Sequence, residues 1–290
     1  MSSSEKEELK KAWADHSRLW KKNRWVYPVI SRRAGGLSIG INVNPDKRCS
    51  FNCLYCQVDR KTPGENIPFD LEQIKAELEN LFNAYAQNGL IDFANLKELP
   101  KADRQIKDIS VSGDGEPTLI PEFKILSRFL LDFQMQHAGT PLKLVLITNA
   151  TRLHLPEVRE GLACLTENAG EIWTKLDGGS DAWFKRISDS PYSLDKIQEN
   201  IEMTVRNFPI RIQTMLCKVD NEIPSEQEIE LYTERVKTIY EKNPENLLEV
   251  QLYGLIREPN TTRVAPLEKS FLENVARKIR EKIPAEVGVY

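Results

Sequence analysis

Three of the five cysteines fall within eight residues, Cys49-Ser50-Phe51-Asn52-Cys53-Leu54-Tyr55-Cys56. Thiols crowd in this way when a metal site needs them. A structural zinc usually takes four ligands, and a fully ligated cubane iron–sulfur cluster takes four cysteines. This stretch supplies three and has no neighbouring fourth, so a cubane held here would keep one iron open to a ligand from outside the protein. Cys164 falls in an expected helix and reads as a core thiol. Cys217 falls at the end of an expected strand and reads as a candidate catalytic, substrate-facing thiol. A small, odd and clustered set of cysteines is not a disulfide framework, and it predicts a reduced, cytoplasmic protein.

Positioning such a loop needs a scaffold, and the pattern of strands and helices supplies one. Leu37 to Asn44 reads as a strand, with Ile39, Ile41 and Val43 on one face and Gly40, Asn42 and Asn44 on the other. Pro45 ends it and the cysteine loop follows. Further strands are predicted at Ile106–Ser112, Lys143–Thr148, Glu171–Leu176, Ile210–Cys217 and Leu248–Tyr253, with a short terminal one over Glu286–Tyr290. Helices alternate with them: from Asp70, a predicted N-cap, to Ala86, and over 121–137, 156–168, 194–207, 225–242 and 267–282, with helical turns over 181–187. Six β-then-α units imply a parallel sheet with helices outside. Ile172, Thr174 and Leu176 share one strand face, while Trp173, Lys175 and Asp177 share the other. The alternation of Ile210, Ile212 and Leu216 with Arg211, Gln213 and Met215 repeats the theme. A closed eight-stranded barrel fills its interior with branched apolar side chains. Six strands with a polar inner face instead predict an incomplete (β/α)6 TIM-like barrel around a wet chamber, an α/β fold. Residues 5–20 read as an amphipathic helix through Leu9, Trp13, His16 and Trp20, with His16 as packing, and Trp25, Tyr27 and Pro28 as an apolar lead-in. The expected division is an N-terminal helical, basic extension over 1–36 and the barrel domain over 37–290.

In parallel α/β folds, sites gather at the C-terminal ends of the strands. There the sequence places the three cysteines, the turn Gly113-Asp114-Gly115-Glu116-Pro117, the pair Thr148 and Asn149, and Asp177-Gly178-Gly179. Glycines allow a backbone to approach a ligand closely, and a carboxylate can receive an ammonium. Lys175 and Asp177 share a face, as an ion pair or as separate contacts. Lys175 is a candidate catalytic residue, as an anion holder or, with a depressed pKa, as a Schiff-base lysine.

The spacing of Cys49, Cys53 and Cys56 with aromatic Tyr55, directly after a first strand, resembles the radical S-adenosylmethionine (SAM) superfamily. The resemblance implies a [4Fe–4S] cluster on the three cysteines, with SAM chelating the open iron, and a 5′-deoxyadenosyl radical that abstracts a substrate hydrogen. It also implies cofactor contacts from Tyr55, the Gly113–Glu116 turn (Gly113, Asp114, Gly115 and Glu116), Thr148, Asn149 and Asp177, with the backbone at Tyr253-Gly254 near the adenine. The stretches Ile41–Pro45 running into the cysteine loop, Ser112–Thr118 and Leu146–Asn149 resemble the wyosine-synthase-like group. That group's wyosine synthases carry a second cluster on cysteines upstream of the triad. No cysteine precedes Cys49 here, so a single cluster is expected.

The net charge of −3 hides an asymmetry, with thirteen Lys and Arg against six Asp and Glu over residues 1–61 and the reverse bias beyond. A basic approach to the cysteines favours a reducing electron donor such as a flavodoxin or ferredoxin, RNA, or another anionic substrate. No apolar run is long enough to span a bilayer, so no membrane partner is expected. The alternative function is a non-catalytic metal-binding module, either structural zinc or an Fe–S electron carrier.

Overall fold

The computed structural model describes residues 20–91, 93, 96, 99–137, 142–256 and 259–290. The expected helix through Leu9, Trp13 and His16 lies almost wholly outside them. Eight strands form one sheet in the order β1, β2, β3, β4, β5, β6, β8, β10. These are β1 (Val26–Ser31), β2 (Gly36–Ile41), β3 (Ile106–Val111), β4 (Lys143–Thr148), β5 (Glu171–Lys175), β6 (Ile210–Met215), β8 (Leu247–Tyr253) and β10 (Val287–Val289). All neighbours from β2 to β10 pair in parallel, and only β1 runs antiparallel, against β2. The two edges, β1 and β10, do not meet, so the barrel is incomplete, as the polar inner face predicted.

The helices are α1 (Leu71–Asn88), α2 (Phe123–Gln136), α3 (Pro156–Thr166), α4 (Asp181–Ser188), α5 (Leu194–Val205), α6 (Glu226–Lys242) and α7 (Lys269–Lys282). Their termini follow local chemistry. Asp70 caps α1 by accepting from the Gln73 N–H at 2.9 Å, and Gly89 ends it in the left-handed region at φ +66°. Ser180, Ser193 and Ser225 cap α4, α5 and α6 in the same way. The aliphatic strand faces named in the sequence pack under these helices: Ile39, Ile41, Ile109, Ile172, Ile212 and Val250 are all fully buried in one core. None of the helices among the described residues is long and apolar enough to cross a membrane.

Three strands lie outside the expectation. The lead-in at Trp25–Pro28 runs into β1, which pairs with β2 over six residues, from Val26 opposite Ile41 to Ser31 opposite Gly36. Glu77 on α1 holds its start: the buried carboxylate accepts the backbone N–H groups of Arg24, Trp25 and Val26 at 2.9–3.0 Å. The strand expected over Ile210–Cys217 ends at Met215. After Leu216 the chain begins β7 (Cys217–Val219), which pairs antiparallel with β9 (Val264–Pro266) in a separate two-stranded sheet.

Candidate active site

The cysteine loop leaves β2 at the C-terminal end of the sheet and is fixed from two sides. On one side the Asn52 and Leu54 N–H groups donate to the Ser188 and Ile187 carbonyls at 3.1 and 2.9 Å. Those carbonyls belong to the last turn of α4, which has no intrahelical donors left for them. Phe51 meets Phe184 of the same helix edge-on at 5.6 Å. On the other side lies the Gly-rich turn after β3. The Glu116 N–H donates to the Arg48 carbonyl at 2.9 Å, and Asn42 and Asp114 exchange two hydrogen bonds at 2.7 and 3.0 Å. Gly115 makes this approach possible: a Cβ there would lie 1.9 Å from the Arg48 carbonyl oxygen.

Cys49, Cys53 and Cys56 all open into one cavity of about 330 Å³, together with Tyr55, Gly113, Gly115, Glu116, Thr148, Asn149 and Tyr253. The Asn149 amide reaches the Cys49 Sγ at 3.6 Å, and an Arg60 nitrogen reaches the Cys56 Sγ at 3.9 Å. Burial raises the Cys49 and Cys53 thiols, Cys53 well above the ordinary range, with Glu116 adding to the effect at Cys49 and Asp177 at Cys53. Thiols in this setting become thiolates when a metal stabilises the anion. Among the described residues no three His, Cys, Asp or Glu side chains converge on one metal ion. In a cubane each thiolate takes a different iron. Three soft donors on one loop, each opening into a cavity with amide and guanidinium donors to the sulfurs, therefore fit a three-cysteine iron–sulfur cluster.

Glu116 is buried and fully engaged. Its two oxygens accept from the Thr118 and Thr148 hydroxyls, both at 2.6 Å, from the Asn149 N–H at 2.7 Å and from the Thr118 N–H at 3.2 Å. Burial raises its pKa against those bonds. It ties the turn after β3 to the end of β4 and leaves Asn149 aimed at the loop, where the amide also meets Ser50 at 2.8 Å.

Lys175 and Asp177 form the ion pair that their shared face allowed, at 3.3 Å. Asp177 is fully buried and does not border the cavity: it also accepts from the Met215 N–H at 2.8 Å and from the Tyr55 hydroxyl. Lys175 does border it, bonded to the Tyr253 hydroxyl and lying over the Tyr55 and Tyr253 rings at 4.9 and 4.4 Å. Burial lowers the Lys175 pKa, and Asp177 pulls it back up. Cys217 is completely buried among Trp183, Met215 and Val264, and burial takes its thiol to about 12. It stands away from the cavity because the chain leaves the barrel at Leu216.

The sequence reading missed the lower wall of the chamber. Ser38, Asp108 and Ser110 line it, with the Asp108 carboxyl receiving the Ser38 hydroxyl and raised by burial to about 6. The period of two through Asp108, Ser110 and Ser112 is the signal that could have found them. Arg33, on the turn between β1 and β2, also reaches the chamber, over the rings of Trp173 at 5.7 Å and Tyr253 at 5.0 Å. Nothing local in the sequence marks it.

The family model of the radical SAM superfamily matches residues 43–229 of the chain. The chain is 31% identical over 175 residues to a protein named GTPase Obg from Brachyspira hyodysenteriae, covering 60% of this chain and 22% of that one. It is 30% identical over 177 residues to a UPF0026 protein of Helicobacter pylori, covering 60% and 49%. Over 270 residues it is 27% identical to a UPF0026 protein of Synechocystis, covering 88% and 91%. The chain thus spans less than half the length of the first two of these relatives. A solved structure of TYW1 with a lysine-pyruvate adduct bound shares the fold, with a TM-score of 0.54 at 15% identity over 94% of this chain and 80% of that one.

Proposed function

The chain belongs to the radical SAM superfamily, and from that premise we propose that it is an enzyme that cleaves SAM reductively at a single [4Fe–4S] cluster and abstracts a hydrogen atom from a substrate held in the same cavity. Members of the superfamily use these two cofactors. The observation that carries the reading is that Cys49, Cys53 and Cys56 open into one cavity with the Gly113–Glu116 turn, Asn149, Lys175 and Tyr253.

In this reading the three cysteines are the protein's ligands to the cluster. When bound, a reduced cluster supplies the electron that breaks a sulfonium carbon–sulfur bond. The remaining work belongs to the chain. Backbone and side-chain bonds to α4 and to the Gly-rich turn hold the loop. Asn149 and Arg60 donate to ligand sulfurs, which tunes a cluster's potential. The turn from Gly113 to Glu116, with Thr148 and Asn149, would hold the amino-acid end of SAM, and the backbone at Tyr253-Gly254 would meet its adenine. Asp177 pairs with Lys175 and offsets part of the burial that lowers its pKa, so Lys175 meets substrate as a hydrogen-bonding group on the cavity wall. Tyr55 shields that pair from the loop side. Exposed Arg48 and Lys61 beside the loop suit an acidic electron carrier such as a flavodoxin or ferredoxin.

Electron paramagnetic resonance tests the open iron. Anaerobically reconstituted, dithionite-reduced protein is expected to give a [4Fe–4S]+ signal whose g-values shift when SAM is added. A signal indifferent to saturating SAM would contradict the reading and favour an electron carrier.

A further inference from the structure

The chamber below the three cysteines has a second charged group that the proposed reaction with SAM leaves unused. Two cavities meet inside the barrel. The upper one holds the cysteines; the lower one opens among the N-terminal ends of the strands, at Lys107, Lys143, Glu171, Arg211 and Glu249. Arg33, Asp108 and Trp173 line both, so they form the partition that is the upper chamber's floor. The lower cavity is internally neutralised: Glu171 takes Lys143 and Arg211, and Glu249 takes Arg211 and the Tyr290 hydroxyl.

Arg33 has no ion-pair partner. Among the described residues no carboxylate lies within ion-pair distance of it, and it lies over the faces of Trp173 and Tyr253. Asp108 attracts it through space only, and the Ser38 hydroxyl already donates to that carboxyl. A guanidinium that lies over ring faces rather than against a carboxylate can offer its N–H groups as a planar fork matched to an oxyanion. Lys175 also lies over the Tyr253 ring, at 4.4 Å. It is already ion-paired with Asp177, which leaves Arg33 as the chamber cation without an ion-pair partner among the described residues.

We propose that the floor of the chamber is the substrate site, in which the Arg33 fork holds an oxyanion of the substrate, a carboxylate or a phosphate, between the Trp173 and Tyr253 rings, while Lys175 contacts the part of the substrate nearer the cluster. The proposal rests on the reading of the upper cavity as the SAM site. An anion anchored at the floor directs the rest of the molecule upward, toward the end of the chamber where the cysteines open. Arg33 enters from the β1–β2 turn, across the open side of the barrel from β5 and β8, so the antiparallel edge strand has a use beyond covering an edge: it delivers the specificity-determining residue.

The test is calorimetric titration of the reconstituted protein with inorganic phosphate and, separately, with propionate, both with S-adenosylhomocysteine saturating. One of the two is expected to bind, and which one assigns the oxyanion. Arg33→Ala is expected to weaken that binding about 10- to 100-fold. Arg33→Lys, which keeps the charge and loses the fork, should fall between, and it remains informative if the alanine variant does not fold. Lys269→Ala, an exposed cation on α7, should bind like the wild type. Failure of both probes to bind, binding indifferent to Arg33 substitution, or competition of the probe with S-adenosylhomocysteine would overturn the proposal; the last would give Arg33 to the cofactor's own carboxylate. S-adenosylhomocysteine binding and SAM cleavage by the wild type, measured alongside, report on the cofactor site separately, so either result can fail without the other.

Discussion

Replacing Gly115 by alanine is the sharpest perturbation of the contact between the cysteine loop and the Gly-rich turn. The new methyl group would stand 1.9 Å from the Arg48 carbonyl oxygen and 2.6 Å from the Asn44 Cβ, where ordinary contact begins at 3.4 Å. The turn must therefore retreat by roughly 1.5 Å, because the obstacle is backbone and cannot swing aside. That retreat breaks the 2.9 Å bond from the Glu116 N–H to the Arg48 carbonyl. Overpacking costs about 1–3 kcal/mol and the lost hydrogen bond about 0.5–1.5 kcal/mol, together roughly 2–4 kcal/mol. For a chain of this size the melting temperature should fall by roughly 3–7 °C. Because Glu116 also orients Asn149 and Thr148, iron retention and S-adenosylhomocysteine affinity should fall with it. Differential scanning fluorimetry, iron analysis and calorimetry read the three effects. Gly254→Ala is the control for the melting temperature alone, since its methyl would meet only Leu272, at 3.8 Å. A Gly115→Ala protein that melts and binds like the wild type would refute the packing of turn on loop.

Three further outcomes follow from the same geometry. Burial works to raise the Glu171 carboxyl, but hydrogen bonds from Arg211, Lys143 and Trp173 prevail and hold it at about 2. A carboxylate depressed on folding stabilises the fold above its unfolded pKa of about 4.3. Denaturant midpoints should therefore fall as pH drops from about 5 toward 2, and Glu171→Gln should flatten that slope; an unchanged slope would remove Glu171 from the account. Asp177→Ala leaves the buried Lys175 ammonium without its carboxylate and should cost about 3–5 kcal/mol in urea unfolding, whereas wild-type stability with weakened SAM binding would show that Asp177 serves the cofactor instead. Arg60→Ala removes a cation 3.9 Å from the Cys56 sulfur and should move the cluster's midpoint potential to more negative values in a redox titration monitored by paramagnetic resonance; an unmoved potential contradicts the contact.

The six parallel strands and their helices were legible because each is a local pattern. Ile39, Ile41 and Ile109 mark one face by period two, and Asp70, Ser193 and Ser225 mark helix starts by their own side chains. The cysteine loop was legible for the same reason: its chemistry lies within eight residues. What escaped depends on partners far along the chain. Val26–Ser31 carries Pro28 and reads as a lead-in, and it becomes a strand because β2 accepts it as an edge and Glu77 fixes its first N–H groups. Arg33 reads as one of many basic residues near the N-terminus, and only the closure of the sheet brings β5 and β8 beneath it. Cys217 and Asp177 show the opposite limit. The alternation carried both toward the chamber mouth, but the chain leaves the barrel after Met215 and takes Cys217 with it, and the Met215 N–H turns Asp177 inward.

The central claim is that the three thiols and the cavity beneath them cleave SAM. Its most direct measurement is 5′-deoxyadenosine formed by anaerobically reconstituted protein given dithionite and SAM, quantified by chromatography beside a Cys53→Ala variant. The account predicts product from the wild type and none above background from the variant. A wild-type protein fully loaded with iron and sulfide that forms no 5′-deoxyadenosine, or a Cys53→Ala variant that forms as much, would contradict it.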